Sequence, residues 1–377
     1  MGPLDGIRVV EMAGLGPAPF CAMLLADLGA EVIRVDRPPS DSGLPSLDQV
    51  TCRGRRSIRL DLKRLEAVEI LLNLVDTADV LIEGLRPGVA ERLGFGPHVC
   101  RERNARLVYG RMTGWGQEGP LSERAGHDIN YIAITGALDA VGATGGAPIP
   151  PLNLIGDFGG GALYMAMGVL SALVERGRSG EGQVVDAAMV DGAASLMTMF
   201  YEWKAAGMWD GGRGTNLLDG GAPFYDTYET ADGGYVAVGA LEPQFYDELV
   251  QRLELDKSIL PAQYDKASWP ELRRRIAAAF ALRSRDEWSE VFADTDACVV
   301  PVLSMVEAPN HPHNIERGTF ANISGVVQPA PAPRFSRSVL NTPEPVQSPG
   351  QDTDALLEEL GLAGQRIAGL RAAGVVF

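Results

Sequence analysis

The first sixty residues alternate between short apolar strands and a helical segment, and this alternation limits the chain to a small set of folds. GIRVVEM predicts a strand, AGLGPAP a glycine-rich turn, FCAMLLADLGA a helix that ends at Gly29, and EVIRVDR a second strand. Two strands joined by a crossover helix pair in parallel, because antiparallel neighbours need only a short turn. The pattern therefore predicts an α/β fold with a doubly wound parallel sheet.

The same alternation continues beyond the second strand. SIRLDL predicts a short strand, AVEILLNLVDTA a helix, and DVLIEGL and ARLVYGRM two further strands. GDFGGG then precedes an apolar helix, ALYMAMGVLSALVER. We read these segments as the rest of one large Rossmann-like sheet domain.

The length of 377 residues predicts a second domain, because single hydrophobic cores stop growing at about 250–300 residues. A turn-rich segment begins near Gly207, and the strand and helix patterns that follow it indicate a smaller α+β domain. The predicted organisation is a large domain over 1–190, a linker over 191–224, the small domain over 225–305, a second linker over 306–330, and a segment over 331–377 that returns to the large domain.

The acidic balance of the chain argues against several classes of partner. A net charge of −16 repels phosphates in general, so nucleic acid and anionic membranes are not expected partners. The four cysteines form no C-x-x-C pair, and the apolar run YMAMGVLSALV is shorter than the roughly 20 residues of a membrane span. Without a signal-peptide pattern either, we expect a cytoplasmic protein with no membrane span and no metal site.

Glycine and arginine residues mark a possible nucleotide site at the carboxyl edge of the sheet. Gly14-x-Gly16 with Asp36 further on approaches a dinucleotide-binding pattern, but the third glycine is replaced by Pro19. Arg37 suits a phosphate better than a ribose hydroxyl, so a nicotinamide dehydrogenase remains only an alternative. Further basic residues lie at Arg53, Arg55, Arg56, Arg59, Lys63, Arg64, Arg86 and Arg92. They are either a solvated charged surface or the local patch that meets a multiply phosphorylated ligand.

The segment AGHDINYIAITGAL carries one of the four histidines, His127, directly before Asp128. Histidine is the commonest acid–base residue, which makes His127 a candidate for proton transfer. The alternative is an ordinary helix start with Asp128 as the N-cap, and Asp157 in GDFGGG has the same alternative.

Several separated segments together resemble the alpha-methylacyl-CoA racemases of the family III CoA-transferase (CaiB/BaiF) superfamily. They are VVEMAGLGPAPFCAMLLADLGAEVIRVDRP, GRMTGWGQEGP, AGHDINYIAITGAL, PLNLIGDFGGG, GQVVDAAMVDGA, LDGGAPFYDTYETADGGYVAVGALEPQFY and TDACVVPV. The resemblance covers nearly the whole chain. It implies an interlocked homodimer with shared active sites, a 2-methyl-branched acyl-CoA substrate, and no cofactor other than the coenzyme A that belongs to the substrate.

The resemblance also implies roles for individual residues. His127 and Asp157 match the two catalytic bases, and Glu242 matches the carboxylate that supports the histidine. Residues implied along the thioester are Gly126, Asp128, Asn130 and Tyr131. Residues implied to contact coenzyme A are Arg37, Leu60, Asp61, Leu62, Lys63 and Arg92, and the nearby Arg55 and Arg56 are expected to join them.

The implied reaction is racemisation at C2 by removal of the α-proton and its return to the opposite face of a planar enolate. Such a reaction needs two acid–base groups with tuned pKa values and hydrogen-bond donors for the enolate oxygen. A backbone N–H at the start of the helix in GHDINY is a suitable donor. The alternative is a CoA-transferase in which Asp128 is a covalent nucleophile, and a third possibility is a catalytically inactive CoA-binding protein.

Overall fold

The computed structural model describes residues 2–39 and 50–377. The strands are β1 Arg8–Met12, β2 Glu31–Asp36, β3 Arg55–Arg59, β4 Val80–Glu83, β5 Val108–Thr113, β6 Val184–Ala188, β7 Tyr225–Glu229, β8 Tyr235–Gly239, β9 Val299–Pro301, β10 Phe320–Ile323 and β11 Val326–Pro329. The α-helices are α1 Pro17–Asp27, α2 Leu65–Val75, α3 Val89–Leu93, α4 Pro97–Arg103, α5 Asp128–Ala133, α6 Ala137–Ala140, α7 Tyr164–Ser179, α8 Met189–Leu196, α9 Thr198–Ala205, α10 Pro243–Arg252, α11 Trp269–Phe280, α12 Arg285–Phe292, α13 Pro312–Arg317, α14 Thr353–Glu359 and α15 Gly364–Ala372. A π-helix, Leu154–Leu163, leads directly into α7, and short 3-10 turns lie at Lys257–Ile259, Lys266–Ser268 and Ala308–Asn310.

The chain divides into two compact units. Unit 1 comprises Met1–Thr135, Leu152–Leu196 and Arg317–Phe377, and unit 2 comprises Gly136–Pro151 and Met197–Glu316. Residues 136–151, which the sequence pattern assigned to the large domain, group with unit 2. The physical reason is local: Arg213 donates hydrogen bonds to Asp139 and to the carbonyl of Gly146.

The central sheet of unit 1 has the order β3-β2-β1-β4-β5-β6, and every neighbouring pair is parallel. This confirms the predicted α/β class with a parallel central sheet. The strand order reverses between β1 and β4, and in sheets of this kind ligands bind at the carboxyl ends of the strands beside that point.

Alternate residues of the central strands face two separate cores. Val10 and Leu81 face the core that contains α2, α14 and α15, whereas Val9 and Val80 face the core that contains α1 and α7. Successive side chains of a strand point to opposite faces, so a sheet covered on both sides needs apolar residues in nearly every strand position. The C-terminal helices are therefore part of the unit 1 core.

Two sequence-based boundaries need correction. The predicted strand SIRLDL spans the end of β3, which runs only from Arg55 to Arg59. Leu60 instead forms a bridge with Val376, and the Asp61 N–H donates to the carbonyl of Val375 at 3.0 Å. The Leu60 N–H still donates to the carbonyl of Asp36 at 3.0 Å, but beyond it the segment pairs with the C-terminal residues and is not part of a strand.

The second correction concerns GDFGGG, which lies inside a helix rather than before one. The π-helix and α7 together form one helix, Leu154–Ser179. Its glycines allow close contact with α8, because a Cβ on Gly160 would lie 2.5 Å from the backbone nitrogen of Ala193. Among the described residues this is the one helix that is long and apolar enough to cross a membrane. The core helix of a globular protein meets the same criteria, and Met165 and Val169 of this helix are fully buried in unit 1.

Unit 2 combines an antiparallel sheet, β7-β8-β9, with helices α10, α11 and α12. Its core contains aromatic side chains, among which Phe280 stacks on Tyr228 with the ring centroids 5.3 Å apart. The unit has a hydrophobic core of its own.

Candidate active site

His127 lies directly before α5, in extended conformation, and is exposed. The side-chain oxygen of Asn130 accepts a hydrogen bond from the His127 backbone N–H at 3.0 Å, which fixes the start of the helix. Asp128 is the first helical residue and not the N-cap that the simple alternative assigned to it. Its backbone N–H belongs to the first turn, where amides have no acceptor within the helix.

Asp157 lies within the first turn of the π-helix and is half-buried. Its Oδ2 accepts a hydrogen bond from Nδ2 of Asn153 at 3.1 Å, and its backbone N–H donates to Oδ2 of Asp128 at 2.8 Å. A Cβ on Gly16 would lie 3.3 Å from Oδ2 of Asp157, so the turn after β1 contacts the same carboxylate. Asp157 is part of the helix and not a cap before it.

The surroundings of Asp157 favour a carboxyl group that can hold a proton. Burial raises its pKa above the usual value, and the nearby carboxylate of Asp128 raises it further. Asn153 and His127 act in the opposite direction, the latter through its charge. The hydrogen bond from the Asp157 N–H to Asp128 brings Asp157 next to the residue that follows His127, although 29 residues lie between His127 and Asp157 in sequence.

A cavity of about 250 Å³ opens beside His127. It is lined by the segments after β4 and β5 and by residues 124–127. The hydroxyl of Tyr131 donates to the carbonyl of Gly126 at 2.5 Å, and the ring of Tyr131 packs edge-on against Trp115. Gly126 and Tyr131 therefore support the backbone at His127. The side-chain oxygen of Asn130 accepts the His127 N–H at the start of the helix.

A larger cavity of about 630 Å³ lies at the carboxyl ends of β1, β2 and β4, where the strand order reverses. Arg37 and Lys63 line it and are exposed, and Leu85 lines this cavity as well as the one beside His127. The remaining lining includes Leu60, Asp61 and Leu62, together with Val89 and Leu93 of α3. Arg92, on the same helix, is exposed. The two cavities form a neighbouring pair that suits a long ligand.

The prediction that Arg55 contacts phosphates needs correction. The Arg55 side chain is only 2% exposed, and its Nε lies 2.5 Å from a carboxylate oxygen of Glu11, which is fully buried. Its other nitrogens donate to the backbone carbonyls of Thr51 and Pro19. A guanidinium enclosed in this way has no surface to offer a phosphate.

Arg56 is likewise engaged within unit 1. It donates to Glu359 at 2.6 Å and to Glu31 at 3.0 Å. These two carboxylates supply the opposite charge that a phosphate would otherwise supply. The basic patch of the sequence is thus divided: Arg55 and Arg56 are engaged within unit 1, whereas Arg37, Lys63 and Arg92 are exposed at or beside the larger cavity.

Most of the chain matches a known protein family. CoA-transferase family III matches residues 4–353. The chain belongs to CoA-transferase family III.

Two relatives of this family III chain are the alpha-methylacyl-CoA racemases of Mus musculus and Homo sapiens. The mouse protein is 46% identical over 99% of this chain and 97% of its own length, and the human protein is 45% identical with the same coverage. A solved structure of a CAIB/BAIF family protein from Brucella suis aligns with a TM-score of 0.83 at 26% identity, covering 95% of this chain and 99% of that one.

Glu242 lies in unit 2, directly before α10, and its side chain is exposed. Its charge is close enough to Cys298 to raise the pKa of that thiol, although burial contributes more. The support of His127 by Glu242 stays a prediction from the resemblance.

Sequence reasoning missed two residues that lie in or beside this candidate site. Asn153 contacts Asp157, but an isolated Asn before a glycine-rich segment carries no signal. Glu83 is fully buried at the end of β4, where its Oε2 accepts the Leu85 N–H at 2.6 Å and its Oε1 accepts from Nε of Arg111 at 3.1 Å. An acidic residue that ends an apolar strand beside the reversal of strand order was a usable signal.

Proposed function

We propose that this protein interconverts the 2R and 2S forms of 2-methylacyl-CoA thioesters, with His127 and Asp157 as the two proton-transfer groups. The observation that carries the proposal is the hydrogen bond from the Asp157 N–H to Asp128, the residue that follows His127, together with burial that raises the pKa of Asp157. The names of the mouse and human relatives support the same reaction.

The chemistry assigned to the chain follows from these positions. One group removes the α-proton and the other supplies a proton to the opposite face of the planar enolate, so the configuration at C2 is lost. His127 as the neutral base works with protonated Asp157, and the imidazolium works with the carboxylate in the reverse direction. We assign the Asp128 N–H, which lies in the first turn of α5, as the donor to the enolate oxygen.

We assign the coenzyme A part of the substrate to the larger cavity. Exposed Arg37, Lys63 and Arg92 supply positive charge near it in a chain whose net charge is −16. Arginine forms strong charge-assisted hydrogen bonds with phosphate, which suits the phosphates of coenzyme A. Leu85 lines both cavities and so connects the proposed coenzyme A site with the cavity beside His127. The reaction as proposed uses coenzyme A as part of the substrate and needs no separate cofactor.

The CoA-transferase alternative requires Asp128 to attack a thioester. The Asp128 side chain is buried, and one of its oxygens is engaged with the Asp157 N–H, whereas His127 is exposed. These positions favour the racemase over the transferase.

The test is an incubation of an optically pure 2-methylacyl-CoA in D₂O without any acceptor acid. We expect deuterium at C2 and loss of optical purity. His127→Ala and Asp157→Ala should each lower racemisation by about 10²–10⁴-fold, whereas His98→Ala, an exposed histidine outside both cavities, should leave it unchanged. CoA transfer to an added acid without exchange at C2 would contradict the proposal.

We further infer a homodimer in which Glu242 supports the imidazolium form of His127. A carboxylate on the far ring nitrogen orients the imidazole and raises its pKa. If each site combines these residues from two chains, mixing inactive His127→Ala and Glu242→Ala proteins should restore about a quarter of the sites after random exchange of subunits. No recovery of activity, in a mixture shown to contain mixed dimers, would contradict the shared site.

A further inference from the structure

We infer that the side chain of Asp128 is a positioning residue, which holds Asp157 in place relative to His127 and takes no part in bond making. This inference rests on the proposed function. Its basis is the hydrogen bond in which the Asp157 backbone N–H donates to Oδ2 of Asp128 at 2.8 Å. Asp128 directly follows His127 in sequence, so this one bond links the two proton-transfer residues.

The bond lies where the π-helix needs an acceptor. The Phe158 N–H is bonded within the helix, to the carbonyl of Asn153 at 3.3 Å. The Asp157 N–H comes one residue earlier, and the first amides of a helix have no acceptor within it. Asp128 supplies that acceptor from outside the helix, and it does so at the residue that carries the proposed base.

The surrounding backbone is shaped for this contact. A Cβ on Gly156 would lie 2.6 Å from Oδ2 of Asp128, so only glycine allows the carboxylate to approach the helix this closely. Asp128 itself is 6% exposed. A carboxylate enclosed against one amide has little freedom to move, and this restriction passes to the Asp157 backbone.

The second consequence is electrostatic. Oδ1 of Asp128 is buried, and it has no hydrogen-bond partner among the described residues. Burial raises the pKa of Asp157, and the nearby Asp128 carboxylate raises it further. Position and proton affinity of the base both depend on the same neighbouring side chain.

This role differs from that of a nucleophile and from that of the Asp128 backbone N–H. A nucleophile must reach the thioester carbon, and the N–H acts on the enolate oxygen whatever the side chain. A positioning residue acts only through Asp157, so its loss should affect the proton on one face of C2 more than the proton on the other.

The experiment measures exchange of the α-proton in D₂O for each pure enantiomer. Asp157→Ala and His127→Ala first identify which enantiomer depends on which group. Asp128→Ala should then lower exchange of the Asp157-dependent enantiomer by about 10- to 100-fold, because small displacements of a reacting group are costly, and should affect the other enantiomer much less. Asp5→Asn, at an exposed position of unit 1, is the control and should change neither rate.

Asp128→Asn separates position from charge and guards against misfolding of the alanine variant. The amide oxygen still accepts the Asp157 N–H, but the negative charge is gone, so the pKa of Asp157 should fall. The limb of the pH–rate profile that belongs to Asp157 should therefore move to lower pH while exchange persists.

Equal losses for both enantiomers in Asp128→Ala, or an unshifted profile in Asp128→Asn, would overturn the positioning role. Absence of exchange in the wild-type protein would instead overturn the proposed function. A covalent acyl-enzyme trapped by hydroxylamine in the wild type and missing in Asp128→Asn would overturn both, because Asp128 would then be the nucleophile.

Discussion

Replacement of Glu83 by Gln should remove a pH dependence of stability that is built into the end of β4, next to residues that line the smaller cavity. Glu83 is fully buried at the end of β4, and burial raises its pKa from 4.5 to about 7 despite the partner Arg111. A group whose pKa is raised in the folded state stabilises that state fully below its unfolded pKa, and the contribution is lost as the pH rises through the folded pKa. The relevant window is therefore pH 4.5 to about 7.

The size of the effect follows from the pKa. At about 1.36 kcal/mol per pKa unit, a rise from 4.5 to about 7 corresponds to roughly 3 kcal/mol. Most of this, about 2.5 kcal/mol, is gained between pH 8 and pH 5, because the folded carboxyl takes up its proton while the unfolded one stays largely ionised. Gln cannot titrate, so wild type should gain about that much stability over Glu83→Gln across this interval.

Hydrogen–deuterium exchange of peptides from β4 and β5, followed as a function of urea at pH 5, 6.5 and 8, measures the free energy of unfolding of unit 1. The control is Glu91→Gln, because Glu91 pairs with the same Arg111 at 2.9 Å but its side chain is 44% exposed. The control should differ from wild type by a nearly constant amount. A Glu83→Gln difference that does not change with pH would refute the reasoning.

Three further substitutions test other parts of the structure. Arg37→Gln should raise KM for the acyl-CoA about 10-fold with a smaller change in kcat, and steady-state kinetics with equal KM for both proteins would contradict the assignment. Gly16→Ala should lower the free energy of unfolding by about 1–3 kcal/mol, because Gly16 has φ 71° and ψ −119°, and an unchanged Tm would argue against this strain. The added Cβ should also lower kcat, because it would contact the Asp157 carboxylate. Arg53→Met should lower the free energy of unfolding in urea by about 3–5 kcal/mol, because it leaves the buried Asp27 carboxylate without the guanidinium that lies 2.6 Å away. A variant as stable as wild type would show that this ion pair is dispensable.

The order of strands and helices at the start of the chain was predictable, because the signals are local. Apolar runs of strand length, the proline-led helix α1 and Gly29 at its end each lie within a few residues of the boundary they set. The parallel order of the sheet then follows from the crossover helix. The resemblance carried the candidate residues His127 and Asp157, which composition and spacing alone left beside simpler explanations.

The fates of the arginines were not predictable from the sequence. Arg37 and Arg55 both occur in basic stretches of the sequence. Arg37 is exposed at a cavity, whereas Arg55 is enclosed against Glu11. Burial of a charge is tolerated only where an opposite charge meets it, and Glu11 is 44 residues away in sequence. Only the pairing of β1, β2 and β3 brings these side chains together.

The sequence by itself determined the class of fold and the residue types available for proton transfer, because periodicity and glycine placement act over short stretches of chain. The tertiary structure decided where β3 ends, since Leu60 pairs with Val376 near the C-terminus. It also decided that Asp128 meets the Asp157 N–H, a contact between two segments that no local pattern connects. Hydrogen bonds and ion pairs act only at short range in space, so their partners are fixed by the folded chain and not by distance along it.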